Sequence, residues 1–190
     1  MYRLSQPAPE LAAFIESYWH VDATPERPFA LSVDVFVDGR ADLVFNFGVG
    51  YTRTVPGSPT RLLQRGNLDA QRLTPIRIEQ QGAVQIVGAR FHAGGLMPFV
   101  QHSLHKWTGA VVGLSEAFDP GVEPLEAELR ARAGDAAAQA SALDAWFLGR
   151  LAMSPAKRTT HEMVRRVVET RGSERVEGLA RGAGLSVRTV

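Results

Sequence analysis

Cysteine is absent from this chain, which excludes disulfides and cysteine-ligated zinc. Also missing is any apolar run approaching the roughly 20 residues of a membrane-spanning helix. The opening MYRLSQPAPELAAF has no secretory core, and no repeat recurs at solenoid spacing. The expectation is a soluble, cytoplasmic protein with no membrane partner. Catalytic signatures are missing too. His102 and His105 are three apart, but no zincin glutamate follows them, and no His-x-His precedes a spaced glutamate. Gly94-Gly95 is too short to cradle a phosphate, and no G-x-S-x-G elbow exists. Asp38 and Asp42 flank a turn and read as solvated aspartates rather than an acid–base pair. No catalytic residue, metal ligand or cofactor is therefore expected.

What is present is first of all β alternation. Residues 7–17 suggest a short amphipathic helix with Leu11, Phe14 and Ile15 inward, and Tyr18–Val21 a strand. From Phe29, residues 29, 31, 33, 35 and 37 are apolar, with Ser32 and Asp34 between them. Asp38-Gly39 reads as a hairpin turn, and the return strand ADLVFNFG sets Leu43, Phe45 and Phe47 against Asp42, Val44 and Asn46. Further strands are expected near 51–55, 62–66, 75–80 and 83–91, with Pro/Gly turns such as PGSP between them. That spacing predicts a β-sandwich or small barrel. HAGG at 92–95 leads into a short helix over 96–101.

Two helices follow. Asp119-Pro120 starts one, with Val122, Leu125 and Leu129 on its apolar side until Gly134. Asp135 caps the second, from 136 to about 151, with Leu143, Trp146, Phe147 and Leu151 on one side. The two-residue turn between them makes an antiparallel pair. Such a pair either covers the sheet or presents its apolar side to a second copy. Ser154-Pro155-Ala156-Lys157 reads as a linker.

The last segment, TTHEMVRRVVETRGSERVEGLARGAGLSVRTV, has helix–turn–helix spacing. Thr159 and Glu162 form a capping box, and Met163, Val164, Val167 and Val168 form an apolar stripe. Ser173 caps a second helix with Val176, Leu179 and Ala180 buried, Gly184 turns the chain, and Leu185 and Val190 plug the angle. Residues 154–190 carry eight Lys/Arg against four Asp/Glu, while the whole chain is only +1. A basic tail on a mildly acidic body suits a tail that meets phosphate.

VEGLARGAGLSVRTV resembles the first helix-turn-helix of the arabinose-regulator (AraC) family. ESYWHVD, VDGRADLVFNFG and VGARFHAGG resemble the sensing domain that precedes it in that family. The resemblance implies an α+β protein divided into a β-rich sensor (1–112), a helical pair that links and often dimerises (113–153), and the opening of a DNA-binding domain (154–190). It implies transcription regulation, a sensor responding either to a small-molecule effector or to a partner, a homodimer, and DNA as the partner of the full-length protein. Ser186, Val187, Arg188 and Thr189 would begin the recognition helix, which stops short here, so weak and salt-sensitive DNA attraction is expected of this chain. Arg181, Arg165 and Arg166 are candidates for phosphate contacts or for a solvated helix face. Trp19, Asn46 and Arg90 interrupt or end apolar strands; they are candidates for an effector site, or else a core tryptophan and two outward polar groups. The alternative is a stand-alone β-barrel binding protein or enzyme.

Overall fold

The computed structural model describes residues 1–24, 26, 29–58 and 60–189. Pro59 of the PGSP turn and Val190 thus lie outside the described residues. The fold is α+β. Its strands are β1 (Tyr2–Ser5), β2 (Ile15–Ala23), β3 (Phe29–Val35), β4 (Asp42–Asn46), β5 (Tyr51–Thr54), β6 (Arg61–Gln64), β7 (Asn67–Asp69), β8 (Ile76–Gly82), β9 (Val84–Phe91) and β10 (Val111–Val112). They form a six-stranded sheet in the order β1-β2-β9-β4-β7-β10 and a four-stranded sheet in the order β3-β8-β5-β6. Every pairing is antiparallel.

Asp38-Gly39 is not a hairpin. β3 pairs with β8 from Phe29↔Gly82 to Val35↔Ile76, while β4 pairs with β7 and β9. The strands on either side of that turn therefore belong to different sheets, each with a longer partner than the hairpin would offer. A second crossing lies at Gly82, whose φ of 111° suits glycine. It leads the chain directly from β8 in one sheet to β9 in the other. The helix expected over 7–17 is replaced by turns, although Leu11, Phe14 and Ile15 are buried as expected. Pro7 and Pro9 break the run, and Ile15 already belongs to β2.

Alternation gives the larger sheet two different faces. Tyr18, Leu43, Phe45, Leu68, Val87, Ala89 and Phe91 lie on the face that holds the main core. Helices α1 (Leu114–Phe118), α2 (Glu123–Ala131) and α3 (Ala136–Arg150) contribute Phe118, Leu125, Leu129, Leu143 and Phe147 to it. Asp135 caps α3 by accepting from Ala138 N at 3.0 Å. Phe147 is fully buried, with ring centroids 4.8 Å from Phe99, 5.6 Å from Phe91 and 6.4 Å from Tyr18. Polar ties fix the helix on the sheet. The Asp144 carboxylate accepts from the Tyr18 hydroxyl at 2.8 Å and from Ala8 N at 2.9 Å. Gln139 donates to Leu129 O at 2.9 Å and faces His20 Nδ1 at 3.1 Å. Its carbonyl oxygen thus accepts from His20, and burial holds that imidazole below its usual pKa.

The apolar side of the helical pair is therefore covered by the sheet. Leu125, Leu129, Leu143 and Phe147 offer no surface to a second copy, whereas Trp146, which shares their stripe, is only partly buried.

The tail starts earlier than expected. Helix α4 runs Pro155–Glu169, with Ser154 accepting from Lys157 N at 3.2 Å and Pro155 in the first turn. Proline breaks a helix interior but fits its first position, so the supposed linker is a helix start. His161 is the buried residue of α4, whereas Val167 and Val168 are exposed. Helix α5 (Val176–Gly182) begins after Arg175, not at Ser173, whose hydroxyl donates to Thr170 O. Leu179 and Ala180 are buried, but Val176 and Leu185 are exposed rather than tucked in. Gly184 has the positive φ expected, 66°, and Leu185 N donates to Ala180 O at 2.9 Å. Beyond it, residues 187–189 form a single turn.

Candidate functional site

The face of the larger sheet turned away from the helices meets the smaller sheet across a cavity of about 720 Å³. The register shows how it is built. One row across the larger sheet is Ser17, Arg90, Asp42 and Asp69; the next is Leu4, Trp19, Gly88, Val44 and Asn67. The third contains Tyr2, Val21, Ile86 and Asn46. Opposite stand Leu31, Val33 and Val35 of β3, Ile78 and Gln80 of β8, and Tyr51 of β5. Only a small set of residues, Val21, Val44, Tyr51, Val84 and Ile86, packs as a buried cluster here. Trp19, Ala23 and Ile78 pack against it partly buried, and the cavity lies beside them.

Trp19 lies across Gly88. A Cβ at position 88 would come within 2.2 Å of the indole, so glycine there is what allows the ring to rest on the sheet. At one end the wall turns ionic. Arg90 Nε and Nη2 each donate at 3.0 Å to a different oxygen of Asp42, a two-point pairing. Arg72 donates to Asp69 at 2.8 Å and reaches Asp38 at 3.5 Å; Arg53 stands 3.9 Å from Asp69. Glu16 pairs with Arg40 at 2.9 Å. Burial raises the Asp69 pKa, opposed by the Arg72 and Arg53 charges. The hydrogen bond to Asp42 holds the Arg90 guanidinium protonated above its ordinary range. Burial also pushes the Tyr51 hydroxyl up to about 12, although Asn67 donates to it at 2.7 Å. Tyr51 thus keeps its own proton available for donation. Among the described residues, Arg53 Nε, Arg72 Nε and Asp69 Oδ1 are buried without a hydrogen-bond partner.

Two of the three expected effector-site residues, Trp19 and Arg90, line this cavity. Asn46 does not. Its amide donates to Val49 O at 2.9 Å and accepts from Gly48 N at 3.1 Å, so it shapes the 46–49 turn and leaves the cavity to Ile86. Asp42, expected to be solvated, is buried and holds Arg90. Its alternation with Val44 already put it on that face. Asp69 and Arg72 were missed because β7 is three residues long, too short to show a period.

In the tail, Ser186, Val187, Arg188 and Thr189 are exposed, as is Arg181 on α5. Arg165 pairs with Glu169 at 3.5 Å on the surface. Arg166 is engaged differently. Its Nε donates to Glu174 at 3.1 Å, tying α4 to the turn before α5. The helical tail meets the body where His161 packs against Phe14, centroids 4.8 Å apart, and where Lys157 donates to Val100 O at 2.9 Å. His102 packs edge-on against Trp107 at 5.8 Å.

No helix among the described residues is long and apolar enough to cross a membrane. No curated protein sequence matches the chain. One solved structure is similar, the crystal structure of the AraC-like transcriptional activator CuxR. The match covers 98% of this chain and 76% of that one, with a TM-score of 0.42 and 10% identity. Residues 3–113 match the model of the family described as Domain of unknown function (DUF6597), and the chain belongs to that family.

Proposed function

We propose that this member of the DUF6597 family is the sensing part of a transcription regulator of the arabinose-regulator type. A small, largely apolar molecule binds between the two sheets, and the helices from residue 154 carry the DNA-reading role. The cavity is the observation that carries the reading. An apolar hollow with a few convergent buried polar groups at one end is the usual anatomy of a small-molecule site. The role is binding rather than catalysis, because the carboxylates and guanidiniums at that end are engaged with one another. In the tail, Ala180 leaves room for a close helix crossing and Gly184 makes the sharp turn. The excess of eight Lys/Arg over four Asp/Glu in 154–190 supplies the attraction to phosphate. The reading implies a cytoplasmic protein. A homodimer, where one forms, uses a surface other than the inward faces of α2 and α3.

Fluorescence anisotropy with a labelled random duplex tests the DNA half. Arg181→Glu and Arg188→Glu together should weaken binding and lessen its salt dependence. Arg132→Glu, on the acidic body, should change neither. Equal loss in both variants, or loss in neither, would refute a DNA role for the tail and favour a stand-alone small-molecule-binding protein.

A further inference from the structure

The charged end of the cavity is matched within itself. Arg90 and Asp42 form a two-point pair, Arg72 is shared between Asp69 and Asp38, and Arg53 faces Asp69. Counting Arg53 and Asp38, which pair with lining residues from outside the lining, three guanidiniums thus meet three carboxylates, and Glu16 beside them has Arg40. A carboxylate-headed ligand placed against Arg90 would sit beside Asp42 and Glu16 without displacing either. An ammonium head placed against Asp42 would sit beside Arg90. Either one brings a charge into a low-dielectric site with no counter-charge left over.

A neutral head meets no such conflict. Among the described residues Arg90 Nη1 makes no hydrogen bond, each Asp42 oxygen accepts only one, and the Tyr51 hydroxyl proton has no acceptor. Donors and an acceptor capable of further bonding therefore stand on both walls, Arg90 and Asp42 on the larger sheet and Tyr51 on the smaller. The remainder of the cavity is apolar: Trp19, Val21, Val44, Ile78 and Ile86 in its depth, Leu31, Val33 and Val35 along β3. Tyr2 and Leu4 of β1 line the same space and are largely exposed. β1 and β3 are edge strands of their two sheets, and the apolar wall continues along them to solvent.

Resting on the reading of this cavity as a ligand site, we infer that its ligand is an uncharged amphipathic molecule. Its neutral head, a hydroxyl or primary amide able both to donate and to accept, lies at Arg90 and Asp42. Its apolar body lies over Trp19 and runs out between β1 and β3. The head group is held by the ion pair as a unit, so neither partner can be altered without changing which charge the site prefers.

Calorimetric titration of the whole protein with octanamide, octanoate and octylammonium at neutral pH tests this, because the three share one apolar chain. Octanamide should bind at least tenfold more tightly than either charged probe. Asp42→Asn, which leaves Arg90 unmatched, should make octanoate the tightest of the three. Arg90→Met, which leaves Asp42 unmatched, should do the same for octylammonium. Octanoate or octylammonium equalling octanamide in the unaltered protein overturns the head-group assignment and leaves the cavity reading in place. No heat from any probe, together with no change in tryptophan emission relative to a Trp19→Phe variant, overturns the cavity reading itself.

Discussion

Replacing Phe147 with alanine should be far more damaging than replacing Val33, although both are apolar residues facing the interior of the molecule. Phe147 is fully buried between α3 and the larger sheet, touching Phe91, Phe99 and Trp146. Truncating a phenylalanine in such a place costs about 3–5 kcal/mol, through lost transfer energy and the hole left behind. Val33 lines the cavity and is 38% exposed. Its two methyls give up little on truncation, roughly 0.5–1 kcal/mol. Urea unfolding followed by circular dichroism reads both. With a slope of about 2 kcal/mol per molar, the midpoint should fall by about 2 M for Phe147→Ala and by about 0.3 M for Val33→Ala. Slopes should match that of the unaltered protein. Equal midpoint shifts, or a shift under about 0.5 M for Phe147→Ala, would refute the claim that the fold is held together outside the sandwich rather than inside it.

Gly88→Ala should expel the Trp19 indole from its place on the sheet, seen as a red-shifted emission and a loss of roughly tenfold or more in octanamide affinity; unchanged emission would count against the close approach. Asp144→Ala removes the acceptor for both the Tyr18 hydroxyl and Ala8 N, so stability should fall by about 1–3 kcal/mol, while Tyr18→Phe in the same background should restore part of it. Acid should loosen the protein below about pH 6.5. Burial, reinforced by Arg165, lowers the His161 pKa, and His20 is lowered likewise. The unfolded chain therefore takes up protons there that the folded chain refuses, and stability drops as pH falls from the unfolded value towards the folded ones. His161→Phe, which keeps the packing on Phe14, should flatten part of that slope in thermal melts from pH 7 to 5, and an unchanged slope would remove His161 from the account.

Much of the strand content was legible because period-2 alternation survives in β2, β3, β4 and β9. The Asp135 cap and the apolar side of α3 were legible for the same kind of reason. Alternation identifies two faces, however, and does not say which of them meets a partner layer. Hence Leu125, Leu129, Leu143 and Phe147 were open to two readings until the sheet was seen to cover them. Asp42 and Arg90 are charged, and a charged residue on a strand reads as solvent-facing; only the β4–β9 register makes them a half-buried ion pair. Asp38-Gly39 has the composition of a tight hairpin, but pairing is decided by the longer ladders that β3 and β4 find elsewhere. In the tail, Pro155 reads as a break because position within a helix, not residue type, decides whether proline is tolerated.

The short run from Phe14 to Ser17 joins two regions that otherwise have little to do with each other. Glu16 and Ser17 form part of the cavity wall, while the Phe14 ring carries His161 of α4. Between them the β2–β9 register slips, with Ile15 opposite Phe91 and Ser17 opposite Arg90. Glu16 is thus the extra residue of a bulge, the kind of place where a strand bends. Three peptide steps span at most about 10 Å and cannot stretch. The cavity wall at Glu16 and Ser17 and the seat of α4 at Phe14 are therefore held within one short segment, with a bulge at Glu16. Were a molecule in the cavity to shift Phe14, the reciprocity of linked equilibria would require the seating of α4 on that ring to bias what the cavity holds.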